Sequence, residues 1–382
     1  MLIIADNNIP FAKEAFSHIG EVRTVQGRGL TADQVAGADV LLLRSTVKID
    51  GELLADCEPK FVGTATIGTD HVDQKYLASR GIPFASAPGS NADSVAEYWS
   101  CAVLLVAARL GWELAGRTAG VVGVGNVGRR VARRARALGM EVLECDPPLA
   151  RESGSDRYRP LEELLQVSDI ITMHVPLNRQ GPDATLQLAD RDFFAKLKPG
   201  AVFVNTSRGK VHSGAALRNA IDSGRLTAAI LDVWENEPEV DLELVSRVDV
   251  ATPHIAGHSL DGKVNGTHML YRRTCQVLGA KEQWKPEDSL PDPERPRLEL
   301  DGAVFDAQLT ATEAALSVYP IAEDDRRMRR VLTLPAADRA ALFTSMRVDY
   351  PVRRGFHNIR VALKNGDTEQ RQALAGLGFQ VI

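Results

Sequence analysis

Three residues of the chain are of the types needed to oxidise an alcohol that stands beside a carboxylate. Arg208, in Asn205-Thr-Ser-Arg208-Gly209, offers a planar guanidinium fork that matches a carboxylate with two hydrogen bonds. His254, in Thr252-Pro-His254-Ile-Ala-Gly257-His258, offers an imidazole whose ordinary pKa of about 6.5 suits proton exchange near neutral pH. Glu237, in Asp232-Val-Trp-Glu-Asn-Glu237-Pro238, offers a carboxylate that would orient the imidazole and stabilise its protonated form. Taken singly, these read equally well as a solvated arginine, a loop acid and a loop histidine. Together they supply an anchor, a proton acceptor and its support.

A hydride acceptor is the missing part, and a fourth segment supplies its site. Gly120-Val-Val-Gly123-Val-Gly125-Asn126-Val127-Gly128 is an apolar strand running into Gly-x-Gly-x-x-Gly and then into a helix. Gly123 permits the tight turn, Gly125 lets the backbone approach a pyrophosphate, and Gly128 allows close helix packing, with the helix N-terminus facing the anion. Asp146, at the end of the next strand, would accept hydrogen bonds from a ribose and repel a 2′-phosphate, so NAD is expected over NADP.

These segments need a scaffold that brings strand ends together. Strands are expected at 119–124, 141–145, 169–173, 201–205, 227–231 and 248–251, with helical stretches between, the rhythm of a doubly wound sheet. Open sheets of this kind bind ligands at the carboxyl ends of their strands, where all four segments fall. From residue 1 to about 90 a separate β/α alternation predicts a second parallel sheet. A long apolar helix from Asn91 to about Trp112 would connect the two, and Pro286, Pro291, Pro293 and Pro296 mark a linker to a small C-terminal unit. That unit has strand-like 297–300 and 359–363 and helices near 307–318 and 368–377.

The glycine fingerprint with Asn-Thr-Ser-Arg-Gly, Asp-Val-Trp-Glu-x-Glu-Pro and Thr-Pro-His-Ile-Ala-Gly resembles the D-isomer-specific 2-hydroxyacid dehydrogenase family. The resemblance implies an α/β fold of two lobes: a doubly wound Rossmann NAD domain at 94–257 and a flavodoxin-like substrate lobe made of 1–93 and 258–285. It implies that Arg208, Glu237 and His254 are catalytic. Gly123, Gly125, Asn126, Val127, Gly128, Asp146, Val175, Thr206, Ser207, Arg208, Asp232 and Gly257 would line the NAD.

Narrower segments, Leu2-Ile-Ile-Ala-Asp-Asn-Asn-Ile-Pro10, Leu43-Arg44-Ser45, Gly63-Thr-Ala-Thr66-Ile-Gly-Thr-Asp-His-Val-Asp73 and Cys145-Asp-Pro-Pro148, are similar to a branch of the family acting on a phosphorylated four-carbon 2-hydroxy acid in vitamin B6 biosynthesis. On that resemblance Ser45, Thr66 and His258 touch substrate, Arg44 is the candidate for the phosphate, and 286–382 is a small α+β domain forming a homodimer. Position 258 is His where that branch has tyrosine, and Val211-His-Ser213 lacks its usual acid. A three-carbon phosphoglycerate substrate, or an NAD-sensing binding protein without turnover, are the alternatives.

Composition sets the outer limits. With 45 Lys plus Arg against 50 Asp plus Glu the net charge is −5, which supplies no global field for nucleic acid or an anionic membrane. The run Arg326-Arg-Met-Arg-Arg330 is expected to be a solvated or interface face. The apolar stretch 101–108 is too short to span a bilayer, and the N-terminus has no basic segment followed by a long apolar one, so a cytoplasmic protein is expected. The four cysteines form no CxxC pair, so no metal site or disulfide framework is expected.

Overall fold

The computed structural model describes every residue, Met1–Ile382. The chain divides into two compact units, Met1–Asn91 with Ser259–Asp292, and Ala92–His258 with Pro293–Ile382.

The first unit carries strands β1 (Leu2–Asp6), β2 (Glu21–Val25), β3 (Val40–Leu43), β4 (Phe61–Thr64) and β5 (Phe84–Ala85), all parallel, in the order β2-β1-β3-β4-β5. This is the flavodoxin arrangement. β3 and β4 are buried at every residue, because a parallel sheet covered on both faces needs unbroken apolar strands. Alternate residues feed opposite cores. Ile3, Ala5 and Leu42 pack with Phe16, Leu270 and Tyr271, whereas Ile4, Leu41 and Val62 pack with Val35, Leu54 and Leu77. Leu270 and Tyr271 belong to the helix Leu260–Leu278, through which the chain returns to this unit.

The second unit begins with the helix Ala92–Leu110, whose buried residues run from Ala92 to Ala107 with few gaps. Its main sheet has β6 (Thr118–Val122), β7 (Glu141–Cys145), β8 (Ile170–Met173), β9 (Ala201–Asn205), β10 (Leu226–Leu231) and β11 (Val250–Ala251), parallel throughout, in the order β11-β10-β9-β8-β6-β7. The strand order reverses between β6 and β8, the point at which a crevice opens at the carboxyl ends. All six strands overlap the segments read from the sequence, with β6 and β10 beginning one residue earlier than expected.

The C-terminal residues form a three-stranded parallel sheet, β12 (Arg297–Asp301), β13 (Arg360–Lys364) and β14 (Gln380–Val381), in that order. Most of 286–382, the segment expected to form a small C-terminal domain, packs into the second unit's cores. Ala311, Ala314, Tyr319, Phe356 and Leu374 join Trp99, Val131 and Ala135 on one side of the main sheet, and Met328, Val331 and Phe343 join Phe203, Leu217 and Trp234 on the other. A buried ion pair reinforces this. Glu97 accepts from Arg353 Nη1 at 2.5 Å and from the Phe356 amide at 2.8 Å, and Arg353 lies 4.1 Å over the Tyr319 ring. In the arginine run, Arg326 pairs with Glu323 on the surface as expected, but Arg329 turns inward, binding Asp325 and the carbonyls of Val245 and Val248.

Candidate active site

The glycine loop leaves β6 with its three glycines under different demands. Gly123 has φ +86°, and a Cβ there would stand 2.7 Å from the His174 carbonyl oxygen. A Cβ on Gly128 would stand 1.9 Å from the Gly123 oxygen, so the helix Gly128–Ala137 can approach β6 only without one. Gly125 is exposed and a Cβ there would have nothing within 4 Å, so its backbone faces open space at the helix entrance. Asn126 is tied back to that helix, its side chain accepting from Arg129 Nη2 at 2.6 Å and its carbonyl from Arg130 Nη1 at 2.8 Å; Val127 is the residue that caps it. Asp146 follows β7, accepting from the Val124 amide at 2.8 Å through Oδ2 and from the Leu149 amide at 3.1 Å through Oδ1. Each oxygen keeps a lone pair, so the carboxylate is fixed and still able to accept. An open backbone face at a helix N-terminus, with a fixed acid at the next strand end, fits a dinucleotide.

Beyond β8 stand His174 and Val175. His174 Nε2 lies 3.0 Å from Thr172 Oγ1 and Nδ1 lies 3.3 Å from Thr206 Oγ1. Burial pulls this imidazole down to about 3, which keeps it neutral. The sequence reading passed over it. Beyond β9, Asn205 organises the turn that presents Thr206, Ser207 and Arg208. Its Oδ1 accepts from the Ser207 amide (2.9 Å) and hydroxyl (2.8 Å), and its Nδ2 donates to the Arg208 carbonyl at 3.0 Å and to His212 Nδ1 at 2.9 Å. Arg208 is partly exposed, with Nη1 donating to the Ser207 carbonyl at 2.8 Å. Gly209 then presses against the next loop, where a Cβ would fall 1.9 Å from the Trp234 oxygen. No other residue fits.

The parallel pairing Leu231↔Ala251 sets the loop after β10 beside the loop after β11. Asp232 is their clamp. Its Oδ1 accepts from Thr252 Oγ1 (2.7 Å) and the Ile255 amide (2.8 Å), its Oδ2 from the Ala256 amide (2.9 Å), and its carbonyl from the His254 amide (2.7 Å). Burial pushes the Asp232 carboxyl up, against the pull of His254 and these hydrogen bonds. His254 itself takes a left-handed backbone, φ +58°, which is unusual for a residue with a Cβ. Its Nδ1 is 2.7 Å from Glu237 Oε2, while Glu237 Oε1 accepts from the Trp234 amide at 2.9 Å. Burial pushes the Glu237 carboxyl up, but the hydrogen bond and charge of His254, the Trp234 amide and Arg347 outweigh it and leave the group below its ordinary value. Glu237 is therefore ionised near neutral pH, and its partner ring is left with Nε2 as the atom available for proton exchange.

Gly257 is partly exposed beside this loop, and the His258 ring meets Tyr350 edge-on with centroids 5.7 Å apart. Arg347 and Tyr350 come from the C-terminal segment; Tyr350 had no signal in the sequence, and Arg347 read with the arginine run as part of a solvated or interface face. Arg347 Nε is buried without a hydrogen-bond partner, and Tyr350 Oη donates to Asp324 Oδ2 at 2.7 Å.

In the first unit, Arg44 and Ser45 follow β3, and Arg44 Nη1 reaches the Asn8 carbonyl at 3.4 Å. Thr66 follows β4; its hydroxyl is 2.8 Å from Thr64 Oγ1 and 3.0 Å from the Gly68 carbonyl, and Thr64 Oγ1 is 3.0 Å from His71 Nε2. The expected substrate residues Arg44, Ser45 and Thr66 thus share the carboxyl edge of one sheet.

Comparison with known proteins agrees with this geometry. Residues 92–256 match the family model of the D-isomer specific 2-hydroxyacid dehydrogenase NAD binding domain, and residues 289–378 match a domain of unknown function. A protein of Salinibacter ruber named erythronate-4-phosphate dehydrogenase is 46% identical over 97% of this chain and 96% of its own. One of the same name from Escherichia fergusonii is 42% identical over 100% of this chain and 99% of its own. Among solved structures, the TT0316 protein of Thermus thermophilus has a TM-score of 0.62 at 28% identity, covering 74% of this chain and 98% of its own. D-lactate dehydrogenase of Aquifex aeolicus, complexed with NAD and lactic acid, has a TM-score of 0.60 at 25% identity, covering 73% and 96%.

Proposed function

Because the chain belongs to the erythronate-4-phosphate dehydrogenase family, a branch of the D-isomer-specific 2-hydroxyacid dehydrogenases, we propose that it oxidises 4-phospho-D-erythronate to 2-oxo-3-hydroxy-4-phosphobutanoate. The observation that carries this reading is the 2.7 Å contact of His254 with Glu237, on the same sheet edge as the glycine loop. When bound, NAD supplies the hydride acceptor. Gly123, Gly125, Asn126, Val127 and Gly128 hold its pyrophosphate, Asp146 its adenosine ribose, and Val175, Thr206, Ser207, Arg208, Asp232 and Gly257 line the remainder.

Arg208 grips the substrate carboxylate. His254 takes the C2 hydroxyl proton on Nε2, and Glu237 stabilises the imidazolium that results. Ser45, Thr66 and His258 contact the rest of the substrate. Asp232 acts through its clamp on residues 252–256 more than by direct contact, since its carboxylate already accepts three hydrogen bonds.

The reaction belongs in vitamin B6 biosynthesis in the cytoplasm, with the protein a homodimer assembled through its C-terminal residues. Exposed Val304, Leu309, Val348 and Val352 support self-association there. Turnover followed at the nicotinamide absorbance band tests the reading. 4-Phospho-D-erythronate should be oxidised with a kcat/KM at least about tenfold above that for 3-phosphoglycerate. The reverse order would make the protein a phosphoglycerate dehydrogenase, and NAD binding without turnover of either would make it a sensor. Asp146→Ala should narrow the preference for NAD over NADP, since a carboxylate facing a 2′-phosphate is a like-charge contact. An unchanged ratio would remove Asp146 from the ribose site.

A further inference from the structure

The helix Leu260–Leu278 brings its first turns to the carboxyl edge of the first unit's sheet. Thr267 Oγ1 donates to the Pro10 carbonyl at 2.9 Å, just beyond β1, and Asn265 Nδ2 donates to the Ser90 carbonyl at 3.3 Å. Between them, a Cβ on Gly266 would stand 3.5 Å from the Ala65 oxygen, next to Thr66. Lys263 precedes Thr267 by one turn, on the same face of the helix. Arg44 reaches the same 8–10 loop from the other side, through the Asn8 carbonyl. Two cations therefore flank one short loop at the strand ends.

Lys263 is poorly placed as a merely structural residue. Burial first, and then the positive charge of Arg44, pull its ammonium below the usual lysine range, with no carboxylate opposing them. A partly buried ammonium next to a like charge is costly unless an anion completes the group. The N-terminus of a long helix adds positive potential at the same place.

We infer that Lys263 and Arg44 together form a site for a phosphate monoester, and that Lys263 takes the phosphate end of the substrate. This inference rests on the proposed reading only for the identity of that substrate. A phosphate dianion matches the pair: the guanidinium fork takes two oxygens and the ammonium a third.

Inorganic phosphate titrated calorimetrically into NAD-loaded protein tests the site without turnover. Lys263→Met should weaken phosphate binding by about tenfold or more, the worth of one charge-assisted hydrogen bond, and Lys263→Arg should restore most of it. KM for 4-phospho-D-erythronate should rise by a similar factor with kcat nearly unchanged, while KM for unphosphorylated D-erythronate stays put. Melting temperatures of both variants check that they fold, and Lys263→Gln repeats the measurement if Lys263→Met does not. Phosphate binding that depends on Lys263 in a protein unable to oxidise 4-phospho-D-erythronate would sustain the site and refute the functional reading. Phosphate and phosphorylated substrate bound by Lys263→Met as tightly as by the parent protein would overturn the inference.

Discussion

His254 and His174 both follow strands of the second unit's main sheet, one after β11 and one after β8, at the same carboxyl edge. His254 has a carboxylate on Nδ1, with Glu237 sheltered and His254 itself about one-third exposed. His174 has only the hydroxyls of Thr172 and Thr206, and burial holds it neutral. The difference lies in what each setting does to an added proton. A carboxylate already ionised, and fixed by the Trp234 amide, offers the imidazolium a counter-charge that needs no rearrangement. Hydroxyls in a dry pocket hold the neutral ring in one orientation and give a proton nothing to meet. The same side chain becomes a proton carrier in one place and a fixed hydrogen-bonding post in the other.

The sharpest test of that contrast removes the carrier. His254→Ala should lower kcat by about 10²- to 10⁴-fold with NAD affinity nearly intact, measured by steady-state kinetics and NAD titration. A loss of less than tenfold would give the proton to another group. Glu237→Gln should cost less, roughly ten- to a hundredfold in kcat with NAD affinity nearly intact, because the imidazolium formed in the step loses its counter-charge. A variant as active as the parent protein would separate Glu237 from His254.

His174→Gln should lower activity by only severalfold and leave both limbs of the pH–rate profile where they are; a displaced limb would break the comparison. The same variant has a consequence for stability. With its folded value near 3, below the 6.5 of the unfolded chain, His174 takes up a proton only on unfolding between those pH values. Stability is therefore lost as pH falls through that window, by at most about 1.4 kcal/mol per pH unit for one group. His212, pulled by burial to about 4, has the same sign over a narrower window. Urea midpoints at pH 7 and pH 5 should fall less for His174→Gln than for the parent protein, the smallest effect of the set.

What could be read from the sequence was what is encoded locally. The glycine loop was legible because each glycine answers a backbone demand within a few residues of its neighbours, as Gly123 and Gly128 show. The central strands β6, β8 and β9 were legible because buried parallel strands are continuous apolar runs. Glu237 and His254 could be chosen by chemistry, although their meeting depends on the pairing of β10 with β11. Edge strand β2 has an exposed, charged face and no apolar run, so it left no signal. His174 was missed because Thr172 and Thr206, which define it, lie on different strands. Arg347, Tyr350 and Lys263 reach their sites from helices or turns far along the chain, which spacing does not encode. The helix Ile321–Arg329 was hidden for another reason: its charges concealed that Ile321 and Met328 are fully buried.

The ion pair of Glu97 with Arg353 bears on how this protein comes apart. The two solved structures named above cover about three-quarters of the chain, which invites the idea of a complete two-lobed enzyme with a detachable tail. Cutting before Pro293 would strip Glu97 of Arg353 and the Phe356 amide, leaving its buried carboxylate only Arg134 at 3.9 Å, and would uncover the apolar surfaces around Trp99 and Trp234. The nucleotide-binding sheet and the last ninety or so residues should therefore melt as one cooperative body, with a truncated chain melting at a lower temperature than the parent.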